Sequence, residues 1–436
     1  MSDLILTNAA IYTFDPTRPR AQAIAFVNGR VAAFDDDARA LKSARTETID
    51  LRERIVIPGL VDSHIHFTGY AMGVARVQLD GARSVEEAVA RVAARAQNVK
   101  PGEWIFGMGW NQMDWRVPQF PNKNSLDAVA PNNPVVLDRK DGHSVWVNSA
   151  ALRAANITRA TRDPDGGVID RDASGEPTGL LREKAQDLVS SSLGFEADYV
   201  AENDLLAAIK TAHRFGLTGI HNIEGASALR AFQNVRAQNK LTLRVLHMIP
   251  AANLENAIAV GLQSGFGDEW LRIGGVKIFA DGSLGSQTAW MLEPFEGTRD
   301  QRGVSVTPKT EMERLARAAA RAKLMVAIHA IGDRANRDAL DVFEKLRGEN
   351  LSENFRIEHV QHLHPADLPR FRALNVIAAM QPIHQTSDYQ MADQLIGARG
   401  RWTYAFKSLL NAGATLAFGS DCPVETLDPL VGIHAA

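Results

Sequence analysis

The sequence predicts an α/β fold: a TIM-like (β/α)8 barrel with a small β module ahead of it and a large insertion after barrel strand one. Three observations predict it. Eight near-continuous apolar stretches each end in polar or Gly residues, and helical stretches with a one-sided apolar stripe stand between them. Residues 67–215 separate the first two strands, far more than the ~2–6 residues of an ordinary βα loop.

Taken in order, residues 1–57 hold short apolar runs at 4–6, 11–12, 23–27 and 31–34, with Asn28-Gly29 between the last two. Asn-Gly flanked by apolar runs signals a tight hairpin, so this stretch reads as β. Barrel strand one follows within residues 58–66 as LVDSHIH (60–66). The other seven are 216–223 (GLTGIHNI), 243–249 (LRVLHMI), 274–280 (GGVKIFA), 324–330 (LMVAIHA), 355–361 (FRIEHVQ), 376–382 (VIAAMQP) and 414–420 (ATLAFGS). Eight is the number that closes a (β/α) barrel. Residues 204–215 place Leu205, Ile209 and Ala212 on one helical face before Gly216, and Thr310 with Glu313 forms a capping box ahead of Leu315 and Ala319.

Residues 67–200 are an inserted domain, and 201–436 carry the rest of the barrel. The insertion opens on a second capping box, Ser84 and Glu87, and contains Trp104, Trp110 and Trp115. Loops at the C-terminal face of a barrel build its active site, so an insertion after strand one lies on the substrate side. The tryptophans either wall an apolar pocket there, Trp110 first among them, or pack inside the insertion.

Composition narrows the function. With 48 Lys plus Arg against 51 Asp plus Glu, the formal charge is -3, without the basic patch that nucleic-acid binding requires. Cys422 is the single cysteine, and no apolar run approaches the ~20 residues of a membrane span. We expect a cytoplasmic protein acting on a small molecule, with no nucleic-acid or membrane partner and with self-association left open.

Histidines gather at strand ends. His64 and His66 stand two apart on strand one, so their side chains share a face and can reach one ion; taken alone they are equally two packed or surface residues. His329 ends strand five, His359 lies in strand six, Lys277 in strand four and Asp421 just after strand eight, all at or near the C-terminal rim. Together they favour a catalytic metal site, which a lysine joins only when neutral or carbamylated. His143 in the insertion and His221 in strand two are candidate substrate contacts, although a barrel-lining His221 bonded to a neighbour is the competing reading, as it is for His247. His362 and His364 read as a loop, Asp281 with Gly282-Ser283 as a turn, and His384 and His434 are assigned no chemistry.

The blocks PGLVDSHIH (58–66), DGHS (141–144) with Asn148-Ser149, VKIFADGSLGS (276–286), HAIGD (329–333), Glu358-His359 and GSDCP (419–423) occur in that order. In this pattern the sequence resembles the amidohydrolase superfamily, in the branch that includes N-substituted formamide deformylases. The resemblance implies that residues 1–57 are the N-terminal part of a small β-sandwich. It also implies two divalent ions, usually zinc. His64, His66 and Asp421 would hold one, His329 and His359 the other, with a CO2-derived carbamate on Lys277 bridging them. The implied reaction is hydrolysis of a carbon–nitrogen bond in an amide or an N-acyl or N-formyl amine. Metal-activated hydroxide would attack, and Asp421 would act as the catalytic general base. Members of this branch usually continue well past the strand-eight aspartate, so we expect the native chain to extend beyond Ala436. The rival readings are a mononuclear deaminase of the same superfamily, against which the setting of Lys277 argues, and a non-catalytic barrel scaffold.

Overall fold

A computed structural model describes residues 3–73, 76–190, 200–351 and 353–436. Two compact units divide at Leu60. In the first, a four-stranded sheet runs in the order Arg30–Phe34, Ile24–Val27, Leu4–Thr7 and Glu47–Asp50. A three-stranded sheet of Arg18–Ala21, Ala10–Asp15 and Ile55–Val56 stands beside it. Ile11 and Ala21 of the smaller sheet meet Ile24 of the larger in one apolar cluster. The expected hairpin is present: Val27 pairs with Arg30 across Asn28 (φ 50°) and Gly29 (φ 71°). Two successive positive φ values are what a two-residue turn between right-twisted strands demands.

The second unit is the barrel and its insertion. Eight strands, Leu60–Ile65, Leu217–Ile223, Arg244–Pro250, Leu271–Phe279, Met325–Ala330, Phe355–His359, Val376–Met380 and Thr415–Phe418, form one sheet in chain order. The registers recorded from strand two to strand eight are parallel. Each predicted strand overlaps its observed one. Strands four to seven are largely buried because helices cover them. Leu315, Ala316 and Ala319 of Lys309–Arg321, and Ala339, Leu340 and Phe343 of Asp333–Gly348, pack on Val326, Ile328 and Ile357. That first helix starts earlier than the capping-box reading placed it, with Pro308 at the N-cap and Thr310 already inside the first turn. Proline fixes the φ that a helix entry needs, and the Pro308 carbonyl accepts from Met312 N at 2.9 Å.

Strands eight and one meet beyond the end of the regular ladder. Asp421 N donates to His64 O at 2.8 Å, His66 N donates to Cys422 O at 2.8 Å, and the Asp62 carboxylate accepts from Ser420 N at 3.1 Å. Contact is close enough that a Cβ on Gly419 would lie 2.5 Å from His64 N and 2.7 Å from Asp62 Oδ1. Gly419→Ala is therefore expected to push the seam apart and to destabilise the fold by about 1–3 kcal/mol, read as a lower denaturant midpoint.

The insertion carries its own six-stranded sheet, from Gly167–Arg171 at one edge through Pro177–Glu183, Ser144–Val147, Val135–Arg139 and Ile105–Trp110 to Val77–Gln78. Helix Val85–Ala96 covers it, and the Ser84 hydroxyl caps that helix by accepting from Glu87 N at 3.3 Å, as the sequence predicts. Trp110, Trp115 and Trp146 pack against one another with ring centroids 6.1–6.4 Å apart. Among the described residues no helix is long and apolar enough to cross a membrane.

Candidate metal centre

Strand geometry delivers the site. Residues two apart on a strand share a face, and His64 and His66 leave strand one side by side. The His64 Nε2 and His66 Nε2 atoms lie 3.3 and 3.2 Å from the same atom, Asp421 Oδ1. Strands five and six bring the His329 and His359 rings to 4.5 Å, and His359 stands 4.7 Å from His64. Lys277 on strand four is 2% exposed, and its Nζ lies 4.6 Å from the Phe279 ring, itself 5.1 Å from His329. Residues from five strand ends thus converge.

Glu358 and His359 are neighbours, yet both side chains face the barrel interior, which plain strand alternation forbids. His359 has φ 73°, Val360 φ 46° and Asp421 φ 58°, all in the left-handed region. Non-glycine residues held there are strained, and such strain concentrates at functional sites. Here the strain turns His359 and Asp421 toward the common point.

Hydrogen bonds decide which nitrogen of each ring is free. His64 Nδ1 donates to Glu358 Oε2 at 2.6 Å, and His66 Nδ1 donates to the Ile223 carbonyl at 2.6 Å. His359 Nδ1 donates to Gln381 Oε1 at 2.9 Å, and His329 Nε2 donates to the Gly282 carbonyl at 3.0 Å. His64 Nε2, Lys277 Nζ, His329 Nδ1 and Asp421 Oδ1 are left buried without a hydrogen bond of acceptable geometry. Orphaned lone pairs in a dry site are costly, and cations compensate them. The ligand atoms of His64, His66 and Asp421 lie within 4.8 Å of one another, and so do those of His359, His384 and Asp421. The donor set of imidazoles and carboxylate therefore fits divalent ions of the zinc type.

The electrostatics agree. Burial works to raise the Asp421 pKa, but the His64, His66 and His359 rings around it hold it well below the usual carboxylate range. Burial drives His329 and His359 well below ordinary imidazole values, keeping both rings neutral and able to donate lone pairs. Burial also pushes the Lys277 ammonium down to about 8.

Beside this point opens a cavity of about 1000 Å³, lined by His66, Lys277 and Phe279 from the barrel and by His143 and Glu183 from the insertion. His143 stands 4.9 Å from His329, and its Nδ1 is 2.9 Å from Glu183 Oε2. Burial disfavours charge on this ring, yet Glu183 outweighs it and lifts the pKa to about 9. The Thr288 hydroxyl donates to the other Glu183 oxygen at 2.5 Å, tying the insertion to the loop after strand four.

Two candidate substrate contacts lie elsewhere. Trp110 is 0% exposed and donates its Nε1–H to the Leu137 carbonyl at 2.8 Å. It packs in the insertion core because a buried indole needs a partner for its N–H, and the strand supplies one. His221 Nδ1 accepts from Arg356 Nη1 at 3.0 Å. Burial brings its pKa down to about 4, so it is a neutral part of the barrel lining rather than of the cavity wall.

Sequence reasoning passed over two residues. His384, given no chemistry, sits on helix Pro382–Ile396 with Nε2 buried, unpartnered and 3.8 Å from Asp421 Oδ2. Its signal was its place, directly after strand seven. Glu358 served only to mark His359, but it is 0% exposed and bonded to His64. Asp281, read only as a turn residue, instead ties the loops after strands four and five together: its buried carboxylate accepts from Trp290 N, Ile331 N and Gly332 N at 2.8–3.0 Å.

Comparison with known proteins places this arrangement. The amidohydrolase family pattern matches residues 47–436. The chain is 36% identical over 454 residues to the protein LONG AFTER FAR-RED 3 of Arabidopsis thaliana, covering 100% of this chain and 78% of that one. It is 28% identical over 450 residues to N-substituted formamide deformylase of Arthrobacter pascens, covering 98% and 82%. An uncharacterized metal-dependent hydrolase from Pyrococcus horikoshii OT3 superposes with a TM-score of 0.79 at 29% identity, covering 99% of this chain and 85% of that structure. The chain belongs to the amidohydrolase family.

Proposed function

We propose that this hydrolase cleaves a carbon–nitrogen bond in an amide or an N-acyl or N-formyl amine. In this reading His64, His66 and Asp421 would hold one zinc ion and His329 and His359 a second, with Lys277, as a carbamate, supplying a further ligand. One observation carries the reading: four buried donor atoms from different strand ends, His64 Nε2, Lys277 Nζ, His329 Nδ1 and Asp421 Oδ1, are left without hydrogen-bond partners. The Arthrobacter pascens relative, whose name gives it N-substituted formamides, supports the bond class.

Divalent ions bound there would polarise a carbonyl and lower the pKa of water. The chain's own residues do the rest. Asp421 accepts a proton from the attacking water as the new carbon–oxygen bond forms, then delivers it to the nitrogen as the carbon–nitrogen bond breaks, so the amine leaves neutral. His143, clamped by Glu183, contacts the carbonyl oxygen from the insertion side, and the cavity holds the nitrogen substituent. Lys277 reacts with CO2 only as the neutral amine, and its lowered pKa provides a share of that form near neutrality.

The test is metal analysis joined to assay. Protein purified with zinc and bicarbonate is expected to hold close to two ions per chain and to hydrolyse members of a panel of N-formyl and N-acyl amines, with activity lost on chelation and restored by zinc. One bound ion with a free Lys277 amine defeats the binuclear arrangement.

A further inference from the structure

We propose that Glu358 is a positioning residue for the metal centre: anchored by Arg356, its carboxylate keeps the His64 proton on Nδ1, so that Nε2 faces Asp421 as a free donor. The inference rests on the metal-dependent reading above and extends it to residues that touch neither ion nor substrate.

Arg356 and Glu358 stand two apart on strand six and share its inner face, where they are 3% and 0% exposed. Glu358 Oε2 accepts from His64 Nδ1 at 2.6 Å and from Arg356 Nη2 at 2.8 Å, while Glu358 Oε1 is ion-paired with Arg356 Nε. Arg356 is fixed in turn, for Nη2 also donates to the Ser63 carbonyl at 2.8 Å and Nη1 donates to His221 Nδ1 at 3.0 Å. The guanidinium has donors only, and a carboxylate beside a permanent cation is ionised and only accepts. His64 Nδ1 must therefore carry the hydrogen. The imidazole keeps one lone pair, on Nε2, aimed 3.3 Å from Asp421 Oδ1. A carboxylate behind a ligating histidine fixes ring orientation, selects the tautomer and raises ligand basicity. The half-buried His221 belongs to the same chain of contacts.

A purely structural role predicts something different, namely that the Arg356–Glu358 pair matters only as two charges that must not be left alone in the barrel. Two variants separate the readings. Glu358→Gln is expected to weaken zinc affinity, measured by competition with a chelator, by about 10- to 100-fold. In zinc-free protein the imidazole ¹⁵N shifts of His64 should then move away from the Nδ1–H pattern. The double variant Arg356→Met with Glu358→Met removes both charges and should recover thermal stability relative to Glu358→Gln without recovering zinc affinity. Recovery of both together would overturn the positioning role. So would a Glu358→Gln protein that binds zinc as tightly as a zinc-binding wild type. A wild-type chain that binds no zinc overturns the metal-dependent reading, and this inference with it.

Discussion

Asp421→Asn should reduce kcat by about 10⁴-fold or more while leaving the fold in place, because general acid–base help alone is worth about 10²–10⁴ and this carboxylate is also a proposed ligand. The substitution is clean for a structural reason. Asp421 has φ 58°, and Asn is the non-glycine residue besides Asp that tolerates the left-handed region best, so the backbone carries no new strain. Its main-chain bond to His64 O at 2.8 Å also survives. What disappears is the negative charge between His64, His66 and His359, and the capacity to accept a proton. Measuring kcat, metal content and unfolding on one sample distinguishes the roles: near-normal turnover with metal bound would rule out the catalytic assignment.

Lys277→Met is expected to abolish detectable turnover and lower metal content while making the metal-free protein more stable. The amine is buried without a hydrogen-bond partner, and its pKa falls to about 8 through burial. The folded value lies below the unfolded one of about 10.4, so the stability cost of the charged amine is fully present below pH 8 and fades as pH rises toward 10.4. The shift corresponds to on the order of 3 kcal/mol, the upper bound on what methionine regains at pH 7 in the metal-free state. Denaturant midpoints of wild type and variant at pH 7 and pH 10 check this: the gap should narrow at the higher pH. A variant less stable than wild type at pH 7, or one retaining both metal and turnover, would show that Lys277 is an ordinary packing residue. A site that weakens the fold in order to present a reactive amine follows the common exchange of stability for function.

Much of this could be read before any coordinates. Eight apolar stretches at barrel spacing and the Asn28-Gly29 turn depend on local chemistry, strand length and φ preference, so they were legible in order. So was the placement of His64, His66, Lys277, His329 and His359 at strand ends and of Asp421 just past strand eight, because parallel strands in a closed sheet must deliver their C-terminal ends to one face. His384 was missed because it stands on a helix, where no alternation rule says which way a side chain turns, and only the approach of that helix to Asp421 gives it a role.

The sequence by itself determined the barrel, the insertion after strand one, and the cluster of His64, His66, Lys277, His329, His359 and Asp421 at one rim. The tertiary structure alone decided which ring nitrogens are free, since each tautomer is set by a partner distant in the chain: Glu358 for His64, the Ile223 carbonyl for His66, the Gly282 carbonyl for His329. It also decided between the open readings of two residues, sending Trp110 into the insertion core and His221 to Arg356. The physical reason is the same in each case. Periodicity fixes which face of an element a residue occupies, but the hydrogen-bond partner that makes a polar side chain cheap to bury comes from another element, and folding brings the two together.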